Sequence, residues 1–244
     1  MKFIAFDIET HKITPENEHN LDQYRPLGIS CAATFESGAV APKLWFNSSD
    51  ALDASPSSDA MTKEQCGKLV IYLQERLANG YIPITWNGLK FDFDILAEES
   101  GLLSECSNLA LSSIDMMFQF FMTKGFPVGI SPVARGLGLE GKTEGMHGDL
   151  APIMWSENLG SRLKVLEYVS QDARLTFQIA EKVLEKRHFS WVAKSGKTNV
   201  WYIDVRGWLT VKECLALPRP DQSWMSKPIP PEQFTSWMRH DQFA

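Results

Sequence analysis

The chain has 244 residues, of which 44% are hydrophobic and 22% charged, and its formal net charge is −6. This composition is typical of a globular protein and excludes a wholly disordered, collagen-like or coiled-coil chain. The negative charge argues against a protein that coats nucleic acid non-specifically, and the longest apolar run, Leu69 to Leu73, is far too short to cross a bilayer.

The amino terminus, MKFIAFDIET, reaches Asp7 and Glu9 without the apolar stretch of a secretory signal, which predicts a cytoplasmic protein. The four cysteines lie far apart with no C-x-x-C spacing. We therefore expect buried thiols rather than a zinc site or a disulfide framework.

In the first half, the sequence predicts strands at KFIAF before Asp7, Leu27 to Phe35, Ala39 to Phe46 and Tyr81 to Trp86. A Ser- and Asp-rich loop at 47–61 leads to Thr62, whose spacing to Gln65 is that of a capping box, so a helix should run to about Gly80. Further helices are predicted from the Asn87-Gly88 turn to Gly101 and over 112–124.

In the second half, frequent glycine and proline predict a loop over 125–152, with one short helix capped by Ser131 and carrying Pro132 in its first turn. The strongest helical pattern runs from Ser161 to Arg187, with an apolar stripe that should face the core. Residues 190–193 and 199–205 predict a hairpin, and a proline-rich tail follows.

Acidic side chains mark the ends of these elements. Asp7 and Glu9 alternate along a strand and so share a face, ~7 Å apart. Tyr168 and Asp172 are neighbours on one helix face, roughly 6 Å apart, and Asp92 follows a strand and a turn. Paired carboxylates of this kind require a cation, which predicts metal binding.

The segments FDIET at 6–10, NGLKFDFDIL at 87–96 and YVSQD at 168–172 resemble, in order and spacing, the three exonuclease motifs of the DnaQ-like DEDD 3′–5′ exonuclease superfamily. The tyrosine is that of the DEDDy branch. Within it, the chain is most similar to stand-alone relatives of the proofreading exonuclease domain of family B DNA polymerases. The resemblance covers residues 1–187.

This resemblance implies an α/β chain with a ribonuclease H-like fold, in which a five-stranded mixed sheet carries helices on both faces and the carboxylates converge at one edge. The fifth strand is left open between Leu109 to Ile114 and a stretch predicted as helical. We expect 1–187 to form the exonuclease domain and 188–244 to form an aromatic hairpin and proline-rich extension packed on it.

The resemblance also implies two Mg²⁺ or Mn²⁺ ions, one held by Asp7, Glu9 and Asp172 and the other mainly by Asp7 and Asp92. Such ions clamp the scissile phosphate and release nucleoside 5′-monophosphates. Because the pKa of a free tyrosine is near ~10, Tyr168 is assigned to orienting the attacking water rather than to removing its proton.

Four further residues are predicted to bind substrate. By family position, Thr10 and Asn87 contact the terminal nucleotide. Arg135 and Lys142 are candidates for phosphate contacts, and ordinary surface charges are the alternative. Asp94 competes with Asp92 as the middle ligand, but the N-G-x-x-F-D register favours Asp92.

Three other signals have a simpler interpretation. Asp115 is predicted to be structural, and His147 to be a loop residue. Residues 136–143 satisfy the pattern G-x-x-x-x-G-K-[ST], but no strand precedes them, and Gly145, Gly148 and Pro152 are expected to forbid a helix after them. A phosphate-binding loop is therefore disfavoured.

Five tryptophans are concentrated in the extension: Trp191, Trp201, Trp208, Trp224 and Trp237. Base stacking is one interpretation, but packing on the core is favoured, and a homodimer formed through the tail is left open.

The predicted function is metal-dependent 3′–5′ exonuclease activity on single-stranded nucleic acid ends, with DNA slightly favoured and an exoribonuclease as the alternative. Two rivals belong to other classes. One is a catalytically silent nucleic-acid-binding module, and the other is a P-loop nucleotide-binding protein. No membrane partner is expected, and protein partners are unassigned.

Overall fold

The computed structural model describes residues 1–15, 18, 20–48, 55–141, 148–203 and 207–238. The predicted positions Lys142 and His147 lie outside these ranges. Among the described residues, no helix has both the length and the apolar character needed to span a membrane. All four cysteines are buried and free, as predicted.

A five-stranded mixed sheet forms the centre of the molecule, which confirms the predicted architecture. The order of its strands is β3-β2-β1-β4-β5, with antiparallel pairing on the β2 side of β1 and parallel pairing on the β4 side. The strands are β1 (Lys2–Thr10), β2 (Ile29–Glu36), β3 (Lys43–Phe46), β4 (Tyr81–Thr85) and β5 (Ile114–Asp115).

Helices cover both faces of this sheet. Those of the first half are α1 (Lys63–Ala78), α2 (Asp92–Ser100), α3 (Leu103–Ser112) and α4 (Met116–Lys124). Those of the second half are α5 (Ile130–Leu137), α6 (Ala151–Glu157), α7 (Leu159–Lys186) and α8 (Val211–Leu215). Short 3₁₀ helices lie at Leu21–Tyr24 and Pro231–Phe234. The capping box of Thr62 and Gln65 starts α1 as predicted.

Alternation along β1 divides the core in two. Ile4, Phe6 and Ile8 pack in the cluster that contains α1 and α2, whereas Phe3 and Ala5 pack in the cluster that contains α5 and much of α7. Side chains two residues apart share a face of a strand. The face of β1 that packs against α7 therefore begins with the apolar Phe3 and Ala5 and continues to positions 7 and 9 at the carboxyl end of the strand.

The fifth strand lies in one of the two locations left open, the stretch predicted to be helical over 112–124, so the helix there begins later than predicted. It is a two-residue strand, Ile114–Asp115, inside the stretch predicted to be helical from 112, and α3 occupies most of the other proposed location. The Asp115 carboxylate caps α4 by accepting a hydrogen bond from Phe118 N at 2.9 Å, so the helix begins immediately after the strand. Two residues are too few to show an alternating pattern.

Three details of the predicted helices are also wrong. The N-cap of α5 is Gly129 rather than Ser131, which lies inside the helix. Pro152 does not forbid a helix but occupies the first turn of α6, where its missing N–H costs nothing. Leu163, placed in the core stripe of the long helix, is 51% exposed, because the buried face of α7 begins only at Val165.

The carboxyl-terminal extension is tied to the core by partly buried hydrogen bonds and by apolar contacts. Its hairpin consists of β6 (His188–Val192) and β7 (Thr198–Tyr202), close to the predicted bounds. The Gln119 side chain donates to Gly207 O at 3.2 Å and accepts from Leu209 N at 2.9 Å. Phe234 and Met238 pack in the α1 and α2 cluster. The division at residue 187 stays a prediction.

Four of the five tryptophans in the extension are buried or half-buried, which favours the packing interpretation. Trp191 and Trp201 contact the Phe120 ring edge-on, at centroid distances of 5.0 and 6.1 Å. Trp208 is buried, and its indole donates to Ala180 O at 3.0 Å. Trp237 donates to a core carbonyl, whereas Trp224 is 62% exposed.

The glycine pattern at 136–141 has a structural explanation in this fold. Gly136 lies inside α5 where that helix crosses β6, and Gly138 is the left-handed C-cap of the helix, with φ +75°. A Cβ at Gly136 would lie 2.6 Å from backbone atoms of Ser190 and Trp191. Glycine at 136 therefore allows close packing of helix and strand.

We predict that Gly136→Ala lowers the free energy of unfolding by about 1–3 kcal/mol, because the added methyl group meets backbone that has no room to move. The higher helix propensity of alanine offsets this loss by at most about 1 kcal/mol. Urea denaturation measures the change. Gly141→Ala is the matched control: apart from its chain neighbours, no atom of the residues that the structure describes lies within 4 Å of its Cβ position, so its effect should stay within about 0.5 kcal/mol. Equal stability of the two variants would contradict this account.

Candidate active site

The end of β1 carries the first two carboxylates of the site. Asp7 and Glu9 occupy the face that Phe3 and Ala5 begin, and Glu9 is only 6% exposed. Their partners across the antiparallel ladder are the small residues Ala33 and Cys31, which share that face. Because these small side chains pack directly under α7, the helix lies close to the two carboxylates.

The middle of α7 supplies the other half of the site. Tyr168 and Asp172 lie one turn apart and are 4% and 3% exposed. Carboxylate oxygens of Asp7, Glu9 and Asp172 all lie within 4.8 Å of one another. The predicted convergence of the first and third motifs is therefore present in the structure.

Asp92 reaches the same site from the other side of β1. It is the first residue of α2 and is buried, and its Oδ1 accepts a hydrogen bond from Ile8 N, between Asp7 and Glu9, at 3.1 Å. Asp92 thus lies beside the three-carboxylate cluster, and its side chain is fixed by the backbone of the strand that carries Asp7 and Glu9.

A buried carboxylate holds the turn that leads into α2. Asp115 accepts hydrogen bonds from Asn87 N at 3.1 Å and from Leu89 N at 2.8 Å. Burial raises its pKa, and the hydrogen bonds act in the opposite direction. Asn87 has a left-handed backbone, φ 67°, which asparagine tolerates better than most residues. The structural role predicted for Asp115 is confirmed.

Asp94 points away from the cluster. Its carboxylate is paired with Arg25, which also bonds Glu98 at 2.9 Å and Asp22 at 3.2 Å. Burial raises the pKa of Asp94 to about 6, although the charge of Arg25 lowers it. Asp94 lines a different cavity from the cluster, so the geometry favours Asp92 as the middle carboxylate.

A cavity of about 440 Å³, here called the carboxylate cavity, joins these residues. Seven of the sequence-predicted residues line it: Asp7, Glu9, Thr10, Asn87, Asp92, Tyr168 and Asp172. Arg135 does not; it is exposed on α5, and its proposed phosphate contact stays a prediction.

Sequence reasoning missed several other lining residues. Glu18 and Asp149 add carboxylates to the walls, and Trp86 and Phe91 add aromatic rings. Gly148 lies so near the cluster that a Cβ there would be 3.9 Å from Glu9 Oε2. The loop residues Glu18, Gly148 and Asp149 carry no periodic signal, so only the tertiary structure brings them to the site.

Cys31, the cysteine opposite Glu9, is not a candidate metal ligand while its thiol is protonated. Cys31 is fully buried opposite Glu9 on β2. Burial, and then the charges of Glu9 and Asp7, raise the pKa of this thiol well above its usual value. The thiol therefore stays protonated, whereas metal binding requires the thiolate.

The comparison with known families agrees with this geometry. The profile described as RNase_H superfamily matches residues 27–184, which is more than half of the chain. The chain belongs to the RNase H superfamily. The matched range contains Asp92, Tyr168 and Asp172, and β1 precedes it. A search of curated proteins found no match.

Membership of the RNase H superfamily indicates a nuclease-type function supported by divalent metal ions, and the donor set fits such ions. Asp7, Glu9 and Asp172 offer only carboxylate oxygens, the ligands that Mg²⁺ and Mn²⁺ prefer. At 4.8 Å, two like charges repel by roughly 3 kcal/mol at an effective dielectric constant of about 20. A cation would relieve this repulsion.

We predict that Asp172→Asn raises the melting temperature of the metal-free protein, because it removes one of the three clustered charges. The same change should abolish the stabilisation that Mn²⁺ gives the wild type, which is about 2.7 kcal/mol when the ion is present at a hundred times its Kd. Thermal unfolding with chelator and with Mn²⁺ measures both effects.

Asp94→Asn is the matched control, because it removes a carboxylate of α2 that is paired with Arg25 and lies outside the carboxylate cavity. This variant should keep the Mn²⁺ response. An unchanged Mn²⁺ response in Asp172→Asn would argue against a metal centre at the cluster.

Proposed function

We propose that this member of the RNase H superfamily is a metal-dependent 3′–5′ exonuclease of the DEDDy type, acting on single-stranded nucleic acid ends. The observation that carries the proposal is that Asp7, Glu9, Asp92, Tyr168 and Asp172 line one cavity. These are the five positions at which the chain resembles the DEDDy motifs. Family membership supports nuclease chemistry in general.

The carboxylates divide into two groups by position. Asp7, Glu9 and Asp172, whose oxygens are clustered, would hold one divalent ion, and Asp7 with Asp92 would hold a second. Bound divalent ions neutralise the charge of the scissile phosphate and make water a stronger nucleophile. Asp7 belongs to both groups, and it is half-buried, whereas Glu9 and Asp172 are buried.

Tyr168 would position the attacking water. It lies one turn before Asp172 on α7 and lines the same cavity. A phenol with a pKa near ~10 is protonated at neutral pH, so it can donate a hydrogen bond but is a poor base. Loss of the Tyr168 hydroxyl should therefore reduce the rate of cleavage without abolishing it.

The substrate end would enter between β1 and the turn before α2. Thr10 and Asn87 line the carboxylate cavity from these two elements and would contact the terminal nucleotide. Arg135 and Lys142 remain candidates for phosphate contacts further along the strand. DNA is slightly favoured over RNA through the polymerase-like resemblance, and an exoribonuclease is the alternative.

The P-loop alternative has weaker support. A P-loop runs from a strand into a helix and presents glycine backbone to phosphate. Here Gly136 lies within a helix and packs against β6, and Gly138 ends that helix. A silent binding module is the remaining alternative, and it is disfavoured because every predicted carboxylate lines the cavity.

We expect stepwise shortening of a 5′-labelled single strand from its 3′ end with Mg²⁺ or Mn²⁺, and no cleavage with chelator. Asp7→Asn and Asp172→Asn should reduce the rate below detection, because each removes a metal ligand. Tyr168→Phe should retain activity reduced roughly 10–100-fold, the usual range for a residue that orients others. Gel analysis of labelled DNA and RNA strands measures the rates and the preferred sugar.

The control for these variants is Glu181→Gln, which removes an exposed carboxylate of α7 outside the carboxylate cavity and should cleave at nearly the wild-type rate. Cleavage by purified Asp7→Asn protein would contradict the proposal. ATP hydrolysis that depends on Lys142 would favour the P-loop alternative instead, and metal-independent strand binding without cleavage would favour the silent module.

A further inference from the structure

A second and larger cavity adjoins the carboxylate cavity. It measures about 1090 Å³, and we call it the aromatic cavity after the rings that line it: Trp86, Phe91, Phe234 and Trp237. Five residues line both cavities: Leu21, Leu27, Trp86, Asn87 and Phe91. A molecule in the carboxylate cavity can therefore extend directly into the aromatic cavity.

The carboxyl-terminal extension builds one wall of the aromatic cavity. The Trp237 indole donates to Leu89 O at 2.7 Å, in the turn that precedes Asp92. The Gln222 side chain donates to Gly125 O at 2.7 Å and accepts from Ile229 N at 3.0 Å. These bonds fix the wall in place, so the cavity is formed before any ligand enters it.

Three of the four aromatic rings of this cavity are accessible, and Phe234 is buried. Trp86, Phe91 and Trp237 are each half-buried and line the space from three different segments of the chain. Drug-sized molecules, each larger than a nucleobase, fit cavities of roughly 300–1,000 Å³. The space therefore has room for more than one base, and aromatic side chains stack with every base.

The charges of the lining disfavour phosphates. Among the lining residues that the structure describes, two cations, Arg25 and Lys90, face three carboxylates, Asp22, Asp94 and Glu232. Arg25 is already bonded to Asp22 and Asp94. A ligand of this cavity should thus present apolar, uncharged surface, which is the chemistry of nucleobases rather than of the sugar-phosphate backbone.

We propose that the aromatic cavity binds the nucleobases that precede the 3′-terminal nucleotide of a single strand, with Trp237 of the extension as a stacking residue. This inference rests on the proposed function, which places the terminal nucleotide in the carboxylate cavity. It gives the extension a role in substrate binding. The cavity would favour strands of several nucleotides over a single nucleotide.

The test compares a substrate that reaches the aromatic cavity with one that does not. The first is a 5′-labelled octamer of deoxythymidine, and the second is the p-nitrophenyl ester of thymidine 5′-monophosphate, both with Mn²⁺. Trp237→Ala should lower kcat/KM for the octamer at least fivefold more than for the ester, mainly through KM, because stacking is ground-state binding.

Two further variants separate stacking from structure. Trp237→Phe keeps a ring but loses the hydrogen bond to Leu89, and it should retain most of the preference for the octamer. Trp224→Ala removes an exposed tryptophan of the same extension that lines neither cavity, and it should leave the ratio of the two substrates unchanged.

An equal loss on both substrates in Trp237→Ala would overturn the inference, since it would show that the ring acts only through the turn before Asp92. Unchanged kcat/KM of Trp237→Ala for both substrates would also overturn it. The inference would likewise be overturned if the wild type were a dimer that Trp237→Ala dissociates without changing the ratio of kcat/KM for the two substrates. That result would assign the cavity to a second copy of the chain.

The experiments distinguish failure of the exonuclease proposal from failure of the base-binding inference. If the wild type hydrolyses neither substrate, the exonuclease proposal is wrong, and fluorescence anisotropy of the labelled octamer in chelator then decides the inference. Binding weakened at least fivefold by Trp237→Ala but not by Trp224→Ala would support base binding. Equal affinity of the two variants would reject it.

Discussion

Mutual repulsion of clustered carboxylates is the constraint around which this structure is arranged. Asp7, Glu9 and Asp172 bring like charges within 4.8 Å, and two of them are almost completely buried. Such an arrangement persists only when the surrounding packing enforces it. Here β1 lies in the middle of the sheet with partners on both sides, and α7 packs across small residues of β2. A rigid scaffold thus keeps a strongly acidic site open to a cation.

A second set of hydrogen bonds places Asp92 relative to that scaffold. The backbone of β1 donates to Asp92 directly, and Asp115 holds the turn through which the chain reaches it. Two carboxylates outside the cluster thus have different roles. Asp115, on β5, accepts hydrogen bonds from backbone N–H groups of the turn before α2, whereas Asp94 is paired with Arg25.

The extension is coupled to the same turn. Trp237 bonds the carbonyl of Leu89, so the wall of the aromatic cavity and the approach to Asp92 share one piece of backbone. Most tryptophans of the extension pack around Phe120 and Phe189. The ring at 237 differs because it both packs and lines a cavity, which a count of tryptophans along the sequence does not distinguish.

Local patterns determined much of this protein. Alternation in β1, the capping box at Thr62 and the helical spacing of Tyr168 and Asp172 are properties of neighbouring residues, so these patterns predict the first strand, the first helix and the long helix. The five-stranded sheet and the roles of the carboxylates were implied by the resemblance of the three motifs to the DEDD family. The two-residue strand β5, the pairing of Asp94 with Arg25 and the wall formed by the extension were decided by tertiary structure. Each depends on contacts between segments far apart in the chain, and no periodicity records which distant groups will meet.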